Sequence, residues 1–297
     1  MQKTALLVDG SGFIYRAFFA FPSLSTGDGK QVGAIYGFCT MLFSLLDKYG
    51  GADFLLVVFD SGKKTFRNEM FPEYKANRAE TPAELREQFP LSRQACRALG
   101  VSTTEKANFE ADDIIATYSR RLVDSGFDVI IASSDKDIMQ LINKNVSMFD
   151  AAKSKVIRSG EVFEKYGVYP SQMTYFQALV GDSSDNIPGV AGIGPVTAAK
   201  LLTEFRTLDG IYEHLEEVNP PKLRDRLRHG KASAELSLQL ATLKNDVDID
   251  DFSTSLPYSF DCATAMDFLK SMGFSSLLTR AQRKYGFSKR AASAELF

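Results

Sequence analysis

Nine carboxylates stand where they could act together: Asp9, Asp60, Glu110, Asp112, Asp113, Asp135, Asp137, Asp182 and Asp185. Three close apolar runs, "TALLVDG" at Asp9, "FLLVVFD" at Asp60 and "VIIASSD" at Asp135. The others fall in "FEADDIIA", "SSDKD" and "VGDSSDNIPG". Carboxylates about 4 Å apart repel by about 4 kcal/mol per pair at an effective dielectric of about 20, so such a cluster takes up protons unless cations fill it. Oxygen donors without thiolate or imidazole select hard cations, magnesium or manganese rather than zinc. Two such ions side by side activate water and stabilise both the attacking and the leaving oxygen of a phosphoryl centre, which points to phosphodiester hydrolysis.

A plainer reading stands beside this one. An Asp after a strand also serves as a turn or helix cap, and acids at a helix N-terminus complement its dipole by about 0.3 to 1 kcal/mol each. That accounts for one carboxylate of "FEADDIIA" but not for three. Glu110 and Asp113 share a helical face at i, i+3, with Asp112 about 100° round from Asp113. Beside Asp9, Asp60, Asp135 and Asp185 the stretch becomes the link between two metal sites, with Asp112 expected to lie nearest to both and to be catalytic.

Other chemistries fit poorly. Cys39, Cys96 and Cys262 are far apart, odd in number and in no metal-binding spacing, which makes them small core residues of a reducing compartment. His214 and His229 lie in a polar stretch and read as surface residues. No apolar run approaches the roughly 20 residues that span a bilayer, and "MQKTALLVDG" reaches an Asp too soon for a signal peptide. A soluble, cytoplasmic protein is expected.

The elements that must position the carboxylates follow from the pattern. The three runs are continuously apolar, as strands covered on both faces are. Helical stretches at 33–49, 83–99 and 111–125 alternate with them. The order predicts an α/β fold with a doubly wound, mainly parallel sheet, whose ligands sit at the carboxyl ends of the strands. "VSMFD" ends likewise in Asp150 but runs into a hairpin with "SKVIRS", which removes Asp150 from the set.

The net charge of -2 hides an uneven distribution. Residues 63–106 carry nine Lys/Arg against six Glu, and residues 110–137 carry seven Asp/Glu against three Lys/Arg. A metal-loaded acidic site beside a polyanion-binding surface would look like this. In "SGKKTFRNEMFPEYKANR", Lys63, Lys64, Arg67, Lys75 and Arg78 interleave with Phe66, Phe71 and Tyr74. Cations along a backbone with aromatics for stacking suit a single strand; a solvated loop leading into an amphipathic helix has the same composition.

"DNIPGVAGIGPVTAAKLL" reads as a helix-hairpin-helix type element at about 186–203. Gly192 and Gly194 let backbone N–H groups approach a phosphate, Pro195 opens a helix, and Lys200 adds a cation. It holds a duplex backbone without reading bases. At the far end, Arg280, Arg283, Lys284, Lys289 and Arg290 either touch DNA or lead to another domain.

Together "LLVDGSGFIYRAFFAFP", "VVFDSGKKTFRNEMFPEYKANR", "FEADDIIA", "ASSDKDIMQL" and "LVGDSSDNIPGVAGIGPVTAAKLL" resemble the 5′-nuclease family, in particular the 5′→3′ exonuclease domain of bacterial DNA polymerase I and its stand-alone relatives. The resemblance runs from residue 4 to about 285. It implies a PIN-like core with a helical arch, and a helix-three-turn-helix that also binds potassium. It implies one metal site at Asp9, Asp60, Glu110 and Asp112 with Asp113 beside them, and a second at Asp135, Asp137 and Asp185 with Asp182 completing the acids. Lys75 and Arg78 take arch positions that contact the scissile phosphate, Arg16 a further phosphate position, and Tyr74 a stacking position. The implied substrates are 5′ flaps and RNA primers in DNA replication and repair, with a polymerase domain in the parent chain a possible partner and a monomer the expected state.

The reading divides the chain into a nuclease core over 1–166 with a basic arch at about 63–95, a helical DNA-binding domain over 167–290, and a tail at 291–297. A non-catalytic DNA-junction-binding protein is the alternative, disfavoured because an intact acidic set without metal is costly. A small-molecule phosphatase would want D-x-D after the first strand, where this chain has "DGS".

Overall fold

The computed structural model describes residues 2–21, 24–62, 64–249 and 261–285. Lys63, Lys289, Arg290 and the tail at 291–297 lie outside the described residues. The strands are β1 (Lys3–Asp9), β2 (Phe54–Val58), β3 (Ser102–Thr104), β4 (Phe127–Ala132), β5 (Val146–Asp150) and β6 (Lys155–Ile157). They form one sheet in the order β3-β2-β1-β4-β5-β6, parallel throughout except for β6, which turns back antiparallel on β5.

The period-2 alternation of a strand explains why these runs are apolar at every position. Ala5, Leu7, Phe54, Leu56 and Val58 pack on the face covered by the helix Ala111–Asp124. Their neighbours Leu6, Val8, Leu55 and Val57 pack on the opposite face, under the helix Gly33–Tyr49 and Phe89–Ala98. Burial on both faces fixes the sheet as the middle layer, and Cys39 and Cys96 are buried within the second cluster.

Two local features depart from the sequence pattern. The stretch expected as one helix over 83–99 divides into Ala83–Arg86 and Phe89–Ala98. Pro90, at the start of the second helix, lacks the N–H that a continuous helix would need and suits a first turn instead. Strand β3, "STT", is too short and polar to show in the sequence; its pairing with β2 through Leu56 and Ser102 makes it a strand.

The helices Met173–Val180, Pro195–Phe205, Leu208–Glu213 and Pro221–Ala241 extend the first apolar cluster through Leu179, Leu202, Ile211 and Leu227. The last two helices among the described residues do not continue that unit. Cys262–Ser271 and Ser275–Tyr285 return to the other face of the sheet, where Leu269, Phe274 and Leu277 join the cluster of Phe38 and Leu42. Arg280 and Lys284 pair with Asp47 there, so these two cations of the basic end clamp a helix onto the core. The helical unit expected over 167–290 thus loses its final stretch to the sheet. His214 and His229 are both exposed, and among the described residues no helix is long and apolar enough to cross a membrane.

The topology locates the ligand crevice. From β1 the chain winds outward through β2 and β3, then crosses along Ala111–Asp124 to β4 on the other side of β1. Strand order reverses there, and ligands bind outside the carboxyl ends at such a reversal.

Candidate functional site

Asp9 ends β1 and caps the helix Gly10–Ala20, its Oδ1 accepting from the Gly12 N–H at 2.7 Å. Ser133, just beyond β4, donates to its other oxygen at 2.9 Å. Burial pushes the Asp9 carboxyl up to about 7, with the charges of Asp60 and Asp135 adding to it. Asp60, two residues past β2, accepts from the Ala111 N–H at 2.8 Å and so ties that strand to the helix bearing the central acids.

Glu110, Asp112 and Asp113 lie at the start of Ala111–Asp124 and point in different directions. Asp112 turns to the crevice; burial raises its pKa well above the ordinary carboxylate range, and Asp135, Asp9 and Asp137 raise it further. Asp113 turns into the core and is not available to a metal. It is fully buried, with Arg67 donating to both of its oxygens at 2.7 and 2.8 Å and the Lys244 N–H donating at 2.8 Å. The i, i+3 spacing with Glu110 serves a capping box, in which the Glu110 N–H donates to Asp113.

The sequence expectation for Arg67 fails for the same reason. At 1% exposure it is a buried organiser of the core, donating also to the carbonyls of Leu240 and Thr242, and so does not reach a nucleic acid. Tyr74 is likewise buried at 4%. Its hydroxyl donates to Glu110 at 3.0 Å and to Asp185 at 3.3 Å, and its burial leaves no ring face open to a base.

Among the described residues, two groups of carboxylates offer oxygens within 4.8 Å of one another: Asp112, Asp135 and Asp137, and then Asp137, Asp182 and Asp185. Asp137 belongs to both, whereas Asp112, expected to lie nearest to both metals, belongs to the first alone. The physical reason is the turn Asp137–Leu141 after β4, which carries Asp137 across to the helical unit, whereas Asp112 is fixed to its helix on the sheet side. Burial and the neighbouring Asp135 and Asp185 push Asp137 up to about 7. Asp182 behaves oppositely: burial would raise it, but Lys136 at 2.8 Å and the Ser184 hydroxyl at 2.6 Å outweigh that and hold it below its ordinary value.

The loop bearing Asp182 and Asp185 is closed by two glycines in left-handed conformations, Gly181 at φ +76° and Gly189 at φ +64°. Side-chain carbon added to Gly189 would come within 2.3 Å of the Gly181 nitrogen. The Gly189 in the sequence motif therefore serves loop closure.

Over this edge lies the basic segment. Lys75 Nζ donates to Glu110 at 2.5 Å and sits 3.5 Å from Asp185, while Arg78 pairs with Asp185. Burial would lower the Lys75 pKa, but Glu110 and Asp185 outweigh it and raise it. Lys75 has φ +57°, a left-handed conformation held by its N–H donating to the Asp185 carbonyl at 3.0 Å; such strain costs about 1 to 3 kcal/mol and clusters at functional sites. A cavity of about 530 Å³ beneath the segment is lined by Asp60, Lys75, Arg78, Arg86, Arg93 and Glu110 among others. Arg93, unforeseen in the sequence, donates to the Asp60 carbonyl.

The remaining candidates lie further out. Arg16 is 3.7 Å from Asp150, which caps the turn into β6. Lys64 is exposed near the segment's start. Gly192 has φ +80° and accepts from Arg226 through its carbonyl, and Gly194 caps the helix Pro195–Phe205. Lys200 lines a cavity of about 960 Å³ together with Lys136 and Gln177, on the helical side of the carboxylates.

Gln177, missed in the sequence, donates from Nε2 to Asp137 at 2.5 Å. The signal was there: it is a lone amide inside "MTYFQALV". Lys136 could also have been found, since it stands between Asp135 and Asp137 in "SSDKD".

Oxygen donors at this spacing suit hard divalent cations. A site that would otherwise hold protons near neutrality has its repulsion relieved by them.

Comparison with known proteins places the chain in a family. Residues 4–167 match the family model for the 5′-3′ exonuclease N-terminal resolvase-like domain, and residues 168–259 match that for the 5′-3′ exonuclease C-terminal SAM fold. The DNA polymerase I of Rhizobium leguminosarum is 45% identical over 282 residues, covering 92% of this chain and 28% of that protein. The chain thus spans under a third of the length of that relative. The 5′-3′ exonuclease of Aquifex aeolicus is 39% identical over 249 residues, 84% of each chain. Among solved structures, the T5 5′-exonuclease with bound zinc superposes with a TM-score of 0.70 at 23% identity over 95% of this chain and 97% of that one. The catalytic core of Rad2 in complex with DNA substrate gives 0.60 at 18% identity, covering 91% and 88%. At these identities the two structures speak for the fold.

Proposed function

The chain belongs to the 5′-3′ exonuclease family, and from that premise we propose that it is a metal-dependent, structure-specific 5′→3′ exonuclease and flap endonuclease that hydrolyses 5′ flaps and RNA primers on DNA. The observation that carries the reading is Asp137, shared by two carboxylate groups at the reversal of strand order, directly beside a basic segment. Two magnesium or manganese ions held there, by Asp112, Asp135 and Asp137 on one side and Asp137, Asp182 and Asp185 on the other, would supply the Lewis acidity that activates water and offsets charge on the phosphate. Asp9, Asp60 and Glu110 complete the negative wall on the sheet side.

The protein's own groups do the rest. Lys75 and Arg78, now neutralised by Glu110 and Asp185, exchange those partners for the scissile phosphate. Lys64 and Arg16 guide the single strand. The duplex rests on the turn at Gly192 and Gly194 and on Lys200, where backbone N–H groups at a helix N-terminus favour phosphate, with a potassium ion in the same helix-three-turn-helix. The 28% coverage of the polymerase relative supports a polymerase domain in the parent chain as a partner, and the chain acts as a monomer at the bacterial nucleoid.

The test is magnesium-dependent cleavage of a 5′-flap substrate by the wild type and by the double substitution Asp135→Asn, Asp137→Asn. Cleavage lost with duplex binding retained is expected. Wild-type cleavage by the double variant would refute the metal assignment, and duplex binding without cleavage by the wild type would favour a junction-binding protein.

A further inference from the structure

We infer that Gln177 is a positioning residue for Asp137: its amide fixes the orientation of that carboxylate between the two groups of acids. The inference rests on the two-cation reading above.

Gln177 lies in the helix Met173–Val180 and is 3% exposed. Its Nε2 donates to Asp137 Oδ1 at 2.5 Å, and its Oε1 is buried with no partner among the described residues. The amide can face the ionised carboxylate, the form that binds cations, only through its nitrogen, since two acceptors at that distance repel. If this position merely filled space, leucine or methionine would occupy nearly the same volume and leave no buried carbonyl unsatisfied. The donor half of the side chain is what the position requires.

Asp137 needs such help. Its N–H donates to Asp135 Oδ1 at 3.0 Å, which sets its backbone but not its carboxylate. Gln177 comes from the helical unit, on a helix packed through Ala178 and Leu179 into the core that also holds Leu202 and Leu227. The element next to the duplex-holding helices therefore sets the orientation of the carboxylate common to both groups. Groups that hold a metal ligand in place typically contribute about 10- to 100-fold to metal affinity.

The experiment is calorimetric titration of Mn²⁺ into the wild type, Gln177→Leu, Gln177→Met, Asp137→Asn and the double variant Gln177→Leu with Asp137→Asn, each also melted in EDTA. We expect both Gln177 variants to bind Mn²⁺ about 10- to 100-fold more weakly while melting within a few degrees of the wild type. In the Asp137→Asn background the Gln177→Leu change should add little. Wild-type Mn²⁺ affinity in whichever Gln177 variant folds overturns the inference alone, as does an undiminished effect of Gln177→Leu without the Asp137 carboxylate. Absence of Mn²⁺ binding by the wild type overturns the two-cation reading and the inference with it.

Discussion

Arg67 and Asp113 face each other as a two-pronged ion pair, Nη1 to Oδ2 at 2.7 Å and Nη2 to Oδ1 at 2.8 Å, deep inside the core. The pair joins three parts of the molecule, because Arg67 stands in the basic segment, Asp113 in the helix of the central acids, and the Leu240 and Thr242 carbonyls at the end of Pro221–Ala241. Removing one partner leaves a buried charge without compensation, which costs about 3 to 5 kcal/mol. Arg67→Ala should therefore lower unfolding stability by about that amount in urea titrations. A variant as stable as the wild type would mean that the pair is dispensable.

The three acids of "FEADDIIA" should separate by assay. Asp112→Asn removes a crevice carboxylate and should reduce flap cleavage on the order of 10²-fold or more with the melting temperature maintained. Asp113→Asn should chiefly lower the melting temperature. Single-turnover rates and melting curves on the two variants check this, and the reverse pattern would contradict the assignment.

Lys75 tests the exchange of partners over the site. Lys75→Ala removes the cation from beside Glu110 and Asp185 and should slow single-turnover cleavage on the order of 10²-fold, with a far smaller change in flap affinity. An unchanged rate at saturating enzyme would exclude Lys75 from phosphate contact.

The pH dependence of the metal-free protein follows from the buried acids. Asp9 and Asp137 are raised to about 7 in the folded chain, against about 4 for an unfolded aspartate. The folded state then binds more protons between these values, so stability is greatest below the unfolded value and is lost as pH rises through the folded one. In EDTA, the melting temperature should fall on the order of 5 °C between about pH 5.5 and about pH 8. Asp137→Asn should flatten the fall, and excess divalent cation should reverse it at the higher pH.

Much of the fold was legible because the residues that encode it act locally. The continuous apolar runs could only be strands covered on both faces, and the helices 33–49 and 111–125 emerge as Gly33–Tyr49 and Ala111–Asp124. Pro90 splits the helix expected over 83–99 for a reason also present in the sequence. Strand β3 and the return of the last two helices to the sheet were not legible, since both depend on partners far away in the chain.

The sequence by itself determined which residue types meet at the carboxyl edge: acids after successive strands, a basic segment behind the second, and a glycine-bearing turn opening a helix. That follows from strand polarity, since every parallel strand must end at the same edge. Only the tertiary structure decided what each side chain does there. Spacing along a helix gives a direction but not the neighbour that fills it. Asp113 and Tyr74 were therefore indistinguishable from site residues until Arg67, Glu110 and Asp185 were seen to hold them inside. Asp137 became the shared carboxylate only because a turn after β4 carries it against a helix some forty positions on, where Gln177 meets it.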